Sequence, residues 1–368
     1  MKFPLLVAAL ACCSLTPGFG APILTHVDVY RSGTDGYHTF RIPVVETAAD
    51  GTLIAFAEAR KNNAEDPGLG EQDIDLVYKR STDRGATWSP MVILEDPGVN
   101  WSAANPATLL DRSNGRLWVF YIHGRPQRSA WNSRPGTDDM RNFARWSDDH
   151  GRSWSEPIDL TEVARDMNDS TWRVSWPGPG GAIQTTKGRL VVALGKFPYE
   201  SLAIYSDDHG QTWQRGQKVP GPDVRNECQV VELNDGRLLI DMRQEAEGPR
   251  WLAESNDGGA TWGTPRPGVV ATPVACAIER YTPAGAPRSQ LLWTGPQGPG
   301  RKELVIRTST DDGLTFPRVK TLSIDLAAYS EITVLKDNSV GVIWERGTEK
   351  SYQYITFTRV NQEWMEGK

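Results

Sequence analysis

The residues best equipped for chemistry in this chain are arginines set at the ends of apolar runs beside acids. Arg41 stands between Phe40 and Ile42, just ahead of the rigid Pro43, and Arg60 closes the run Ala57, Glu58, Ala59. A planar guanidinium grips a carboxylate through paired charge-assisted hydrogen bonds and never loses its charge. Taken singly, an arginine at a strand end is more often half of a surface ion pair. Other chemistries are poorly served. There is no HExxH, no Cys/His cluster, no GxxxxGK(S/T) and no GxSxG, and the five histidines are scattered. No metal, nucleotide or other cofactor is expected. A net charge of −6, with no run of five or more basic residues, lacks the footprint of a protein that grips phosphate backbones, so nucleic acid is not expected as a partner.

The elements that must position these arginines are visible as repeats. The pattern SxDxGx(T/S)(W/F) occurs five times, beginning at Ser81, Ser147, Ser206, Ser255 and Ser309. Its Asp and Ser side chains can bond neighbouring amides, its Gly supplies a positive φ and its aromatic ring closes over the turn, so each copy is a stapled hairpin turn. The acids of these boxes are therefore structural and not catalytic, and their spacing is not that of a calcium loop. A second unit alternates with the boxes, a turn ending in Gly before an apolar strand: Gly51 before LIAFA, Gly115 before LWVFY, Gly188 before LVVAL and Gly236 before LLIDM. No long stretch of helical period competes, so the chain is all-β. The boxes lie on average 57 residues apart, and the 348 residues after residue 20 hold about six such units. Six four-stranded antiparallel blades in a β-propeller hide their edges and suit this count.

At 39% hydrophobic and 23% charged, the chain is neither disordered nor membrane-embedded. Residues 1–20 read as an export signal, with Lys2 ahead of the apolar stretch Leu5 to Cys13 and small residues up to Gly20. Nine apolar residues are too few to span a bilayer, which needs about 20 in a helix. The remainder, residues 21–368, is expected outside the cytoplasm, periplasmic or extracellular, and as a monomer. Cys12 and Cys13 leave with the signal; Cys228 and Cys276 remain, as a disulfide or as two buried thiols.

With FRIP at residues 40–43 and five boxes in order, the sequence resembles the sialidase family (exo-α-sialidases, or neuraminidases) over essentially the whole length after residue 20. The resemblance implies a six-bladed propeller acting on sialylated glycans. It also implies roles residue by residue. Arg41, Arg243 and Arg301 fall where the family holds the sialic acid carboxylate. Tyr329 falls on its nucleophile and Glu227 on the glutamate that takes the tyrosine proton. A phenol with an ordinary pKa of about 10 needs such a base, and a neutral hydroxyl avoids the like-charge repulsion a carboxylate would meet beside a carboxylated anomeric centre. Asp66 falls on the catalytic aspartate. The stretch from Asp66 to Ile74 is longer than is common in the family, which leaves Asp73 and Glu65 as alternatives. Glu345 matches the glutamate that steadies the first arginine, and Arg60 an arginine near the sugar O4. Trp176, Gln184 and Asn105 are candidates for the N-acyl or glycerol side. Two other readings stand beside hydrolysis: sialyl transfer or a deaminated substrate with the same machinery, and a catalytically silent propeller that presents a binding surface.

Overall fold

The computed structural model describes residues 20–221 and 225–367. The export-signal reading of residues 1–20, Cys12 and Cys13 included, thus falls outside the described residues but for Gly20. The rest is all-β, with two single-turn helices, Thr161–Ala164 and Gln362–Glu366. No helix among the described residues is long and apolar enough to cross a membrane.

The strands follow one another as antiparallel meanders of four. The first unit is Thr39–Thr47, Leu53–Arg60, Ile74–Ser81 and Val92–Glu95, and the second Ser102–Asp111, Arg116–Gly124, Met140–Ser147 and Ile158–Asp159. In the third, Val174–Pro177 and Ile183–Gln184 share the place beside Leu190–Phe197, followed by Glu200–Ser206 and Gln214–Arg215. The fourth is Arg225–Glu232, Leu238–Gln244, Gly248–Ser255 and Arg266–Ala271. The long strand Arg318–Val334 changes partners at Leu326. Its first part completes a fifth unit with Ala277–Arg280, Leu291–Pro296 and Lys302–Ser309; its second part opens a sixth with Val340–Gly347 and Tyr354–Val360. The fourth strand of the sixth unit is Leu24–Arg31, from the other end of the chain. Hydrogen bonding groups these strands into four open sheets of seven, five, nine and four strands.

Because both faces of the strands are buried, alternate residues enter different cores. Leu190, Val192 and Leu194 pack with Trp118 and Phe120 of the second unit, while Val191 and Ala193 pack with Val230 and Ile240 of the fourth. The same sharing joins the first unit to the second, the fourth to the fifth and the fifth to the sixth. A further core sets Ile343, Ile355 and Phe357 of the sixth unit against Val45, Ala55 and Val77 of the first.

Each box links the third strand of a unit to its fourth. In all five, the serine hydroxyl donates to the aspartate at 2.7–2.8 Å and accepts the glycine N–H at 2.8–2.9 Å, and the aspartate accepts the next Thr or Ser amide at 2.8–2.9 Å. The residue before the glycine is left-handed as well, at Arg84, His150, His209 and Asp312 with φ of 55–62°. The glycine lies flat on the preceding unit: a Cβ at Gly210 would come within 2.3 Å of Trp118, and one at Gly85 within 2.1 Å of Phe357 in the sixth unit. The sixth unit carries no box because its last strand is supplied by the N-terminal segment. Cys228 and Cys276 are both buried free thiols.

Candidate active site

Four first strands carry a β-bulge near their start, between Arg41 and Val44, Ala104 and Ala107, Arg225 and Cys228, and Ala327 and Ser330. A bulge leaves residues off the ladder and re-aims their side chains. The bulged residues here are Ile42 beside Arg41, Asn105, Asn226 with Glu227, and Ala328 with Tyr329. Ile42 and Asn105 sit at φ of 53°, a conformation costly for the β-branched Ile42 and tolerated by asparagine, and each is followed by a proline.

At these bulges the groups converge. The Tyr329 hydroxyl donates to Glu227 Oε1 at 2.5 Å and accepts from Arg243 Nη1 at 2.9 Å, while the same Nη1 donates to Glu227 Oε2 at 2.6 Å. The guanidinium carbons of Arg41 and Arg301 lie 5.3 and 5.9 Å from the centre of the Tyr329 ring. Glu345 Oε1 accepts from Arg41 Nε at 2.6 Å and from the Ile42 amide at 3.0 Å, and its Oε2 accepts from Arg41 Nη2 and the Tyr329 amide, both at 3.3 Å. One carboxylate therefore fixes an arginine and the backbone of two bulges.

Electrostatics follow from burial and pairing. Burial works against charge on Arg41 and Arg243, but Glu345 beside the first and Glu227 beside the second more than offset it and hold both guanidiniums above their usual range. Burial pushes the Tyr329 hydroxyl well above its ordinary value and the Glu227 charge adds to this, so the phenol rests protonated with its acceptor in place.

Above Tyr329 opens a cavity of about 240 Å³ lined by Ile42, Arg60, Asp66, Asn105, Glu227 and Arg243 among others. Asp66 stands at its edge with 71% of its side chain exposed and Arg60 Nη1 at 3.2 Å. Asp73 is turned away: it is buried, with Lys61 Nζ at 3.0 Å and the Asn100 amide at 3.2 Å, and closes the base of the loop that carries Asp66. Glu65 contributes its backbone carbonyl to Arg60. Neither lines the cavity. Trp176 and Asn105 do. Gln184 does not: its amide is spent on Asp111, Ser113 and the Arg112 amide at the far end of its strand, which corrects its placement near a sugar side chain. Sequence reasoning missed the wall formed by Trp131, Tyr199 and Glu245. Trp131 is 55% exposed and stacks edge-on against Tyr199; its one sequence signal is a tryptophan in a polar loop outside any box. The Tyr199 hydroxyl is raised to about 12, mainly by burial and then by Glu245. Among the described residues no group of three or more His, Cys, Asp or Glu could hold a metal ion.

Residues 51–342 match the family model of the BNR repeat-like domain. A sialidase of Micromonospora viridifaciens is 30% identical over 390 residues, covering 98% of this chain and 57% of that protein. A sialidase of Bacteroides fragilis is 28% identical over 362 residues, covering 91% and 64%. The chain thus spans about three fifths of the length of these curated relatives. Among solved structures, the Hadza microbial sialidase Hz136 superposes with a TM-score of 0.82 at 29% identity, covering 92% of this chain and 68% of that one.

Proposed function

The chain belongs to the BNR repeat-like domain family, and from that premise we propose that it is an exo-α-sialidase, a retaining glycoside hydrolase that removes terminal sialic acid from glycoproteins, glycolipids or oligosaccharides without a cofactor. Residues 21–368 form its catalytic domain, an exported monomer built as a closed six-bladed propeller. Shared cores between all successive units, the sixth with the first included, support the ring.

The observation that carries the reading is the convergence of Arg41, Arg243 and Arg301 on one buried tyrosine whose hydroxyl already donates to Glu227 at 2.5 Å. Sialic acid bears a carboxylate on its anomeric carbon. The three guanidiniums clamp that anion and hold the ring as it flattens towards an oxocarbenium-like transition state. Tyr329 attacks the anomeric carbon as its proton passes to Glu227, and Asp66 protonates the departing glycan oxygen. The product of this step is a sialyl-tyrosine in which the anomeric carbon is joined to the phenol oxygen by a ketosidic bond, the bond to the glycan oxygen having broken. Water activated by Asp66 then displaces Tyr329, which recovers its proton from Glu227, and two inversions give retention.

The test is release of free sialic acid by the purified protein from a panel of α2,3-, α2,6- and α2,8-linked sialosides, with lactose added as acceptor in a parallel set. Proton NMR should show the α-anomer formed first. No release from any linkage, or β-anomer first, would sink the proposal, and sialyl-lactose as the main product would shift it to transfer.

A further inference from the structure

Of the three arginines around Tyr329, Arg41 alone lies over a second ring among the described residues. Its guanidinium carbon is 5.3 Å from the centre of the Tyr329 ring and 4.9 Å from that of Tyr352. Tyr352 stands in the turn between Val340–Gly347 and Tyr354–Val360 of the sixth unit, half-buried, and does not line the cavity. The turn is organised from within. Gln353 Oε1 accepts the Thr348 amide at 2.6 Å and the Glu349 amide at 2.9 Å, and a Cβ on Gly347 would come within 1.6 Å of the Lys350 carbonyl. It is also stapled to the strand that carries Arg41. The Ser32 hydroxyl donates to the Tyr352 carbonyl at 2.9 Å and accepts the Phe40 amide at 3.2 Å, and the Gln353 carbonyl accepts the Ser32 amide at 3.0 Å. The Tyr352 hydroxyl has no hydrogen bond among the described residues, so what this backbone brings to Arg41 is the face of a ring.

Arginines over tyrosines also occur at the rim, where they carry no such meaning: Arg346 lies 4.8 Å from the centre of the Tyr354 ring, partly exposed and paired with Asp28 at 3.1 Å. Arg41 differs in being buried and in having donors left over. Glu345 takes Nε at 2.6 Å but Nη2 only at 3.3 Å, which leaves two N–H bonds on Nη1 and one on Nη2 for an anion. A fork held firmly at one prong can still tilt out of its plane. An aromatic face attracts the cation at this distance and opposes the tilt.

We propose that Tyr352 is a positioning residue for Arg41: its ring fixes the plane of the guanidinium so that the remaining N–H bonds meet the carboxylate of the substrate. This rests on the sialidase reading above and adds to it a residue that lies outside the cavity.

The experiment takes wild type, Tyr352→Phe, Tyr352→Leu and Tyr352→Ala and measures the dissociation constant of the 2,3-unsaturated analogue of sialic acid, an unreactive carboxylate, together with kcat/KM on a fluorogenic sialoside. Tyr352→Phe should bind the analogue within about twofold of wild type, whereas Tyr352→Leu and Tyr352→Ala should bind it about fivefold more weakly, with kcat/KM falling in step. Tyr352→Leu keeps apolar bulk without the π-face, so a role in packing alone would leave it level with Tyr352→Phe. That result, a Tyr352→Ala equal to wild type, a Tyr352→Phe as weak as Tyr352→Ala, or weaker binding with kcat/KM unchanged would each overturn the proposal. Should Tyr352→Ala fail to fold, Tyr352→Leu against Tyr352→Phe carries the same test. A wild type that neither hydrolyses the sialoside nor binds the analogue removes the sialidase reading and this proposal together, whereas one that does both, with no difference between Tyr352→Phe and Tyr352→Leu, overturns this one alone.

Discussion

The first strands of the units carry ionisable side chains at two heights, and the two heights behave in opposite ways. At the bulged end, Glu227 and Tyr329 line the cavity and Arg41 lies against the Tyr329 ring, with the pairs Arg41–Glu345 and Arg243–Glu227 each closed at 2.6 Å. On the first strands of the first, fifth and sixth units, Glu46, Glu279 and Glu331 have no ion pair among the described residues. Glu331 is 2% exposed, accepts from Gln229 Nε2 at 2.5 Å and is pushed well above the usual carboxylate range by burial. Burial likewise pushes Glu46 and Glu279 up to about 7, against the pull of Arg112. A guanidinium in hydrogen-bond contact favours the charge of a carboxylate, whereas burial without such a contact disfavours it. Partner, not depth, separates the working level from the structural one.

The contrast can be broken most forcefully at Tyr329. Tyr329→Phe keeps the ring and loses the oxygen, and hydrolysis of a fluorogenic sialoside should fall at least about 10³-fold with melting behaviour retained; a rate near wild type would remove Tyr329 from the chemistry. The same swap at the two heights sharpens the point. Glu227→Gln should cost about 10²-fold or more in kcat, whereas Glu331→Gln, which replaces a protonated carboxyl with its near isostere, should stay within about threefold, and similar losses for both would mean that the lower level is no mere support. Glu345→Gln leaves Arg41 buried with a weaker partner. Breaking a buried pair costs about 3–5 kcal/mol, so chemical denaturation should show a loss of that order together with a raised KM for sialosides; unchanged stability would mean that Arg41 finds another counter-charge.

The smallest effect is in pH. For Glu46 and Glu279 the folded chain keeps protons that the unfolded chain, near 4.5, releases. Their contribution to stability is complete below about 4.5, declines as pH rises and is gone above about 7. Between pH 5 and 7.5 the melting temperature of wild type should fall by a few degrees relative to Glu46→Gln/Glu279→Gln, where each kcal/mol is worth about 2–4 °C. Parallel curves would place both carboxyls in their ordinary range.

Much of this was legible in the amino-acid order because it is local. Ser81, Asp83, Gly85 and Trp88 bond one another or fold over one turn, so a box announces itself wherever it stands, and five of them set the number of units. The resemblance pointed to Arg41, Glu227, Arg243, Arg301 and Tyr329, and the structure sets Glu227 and Arg243 on the Tyr329 hydroxyl and Arg41 and Arg301 beside its ring. What could not be read depends on register between strands. Nothing between Arg318 and Val334 marks Leu326 as the point where one strand leaves a sheet for the next, and the bulge at Asn105 shows only as an Asn before Pro106. Gln184 failed for the same reason: which end of a strand meets the cavity is decided by the strand's neighbours, and Gln184 is spent on Asp111, Ser113 and the Arg112 amide instead. Arg60 was found and lines the cavity, but its bonds to the Ala64 and Glu65 carbonyls carry no signature in sequence.

The pairing of Leu24–Arg31 with Tyr354–Val360 brings the described ends of the chain together, and Asn361 ties them by donating to the Ala21 carbonyl and accepting the Ile23 amide, each at 2.8 Å. A short linker could therefore join them and the polypeptide be reopened in one of the exposed box turns, as circular permutation asks. Such a rearranged molecule would move the zipper to a new seam, and its unfolding rate set against the natural one would measure how much of the protein's resistance to unfolding is held at that single closure.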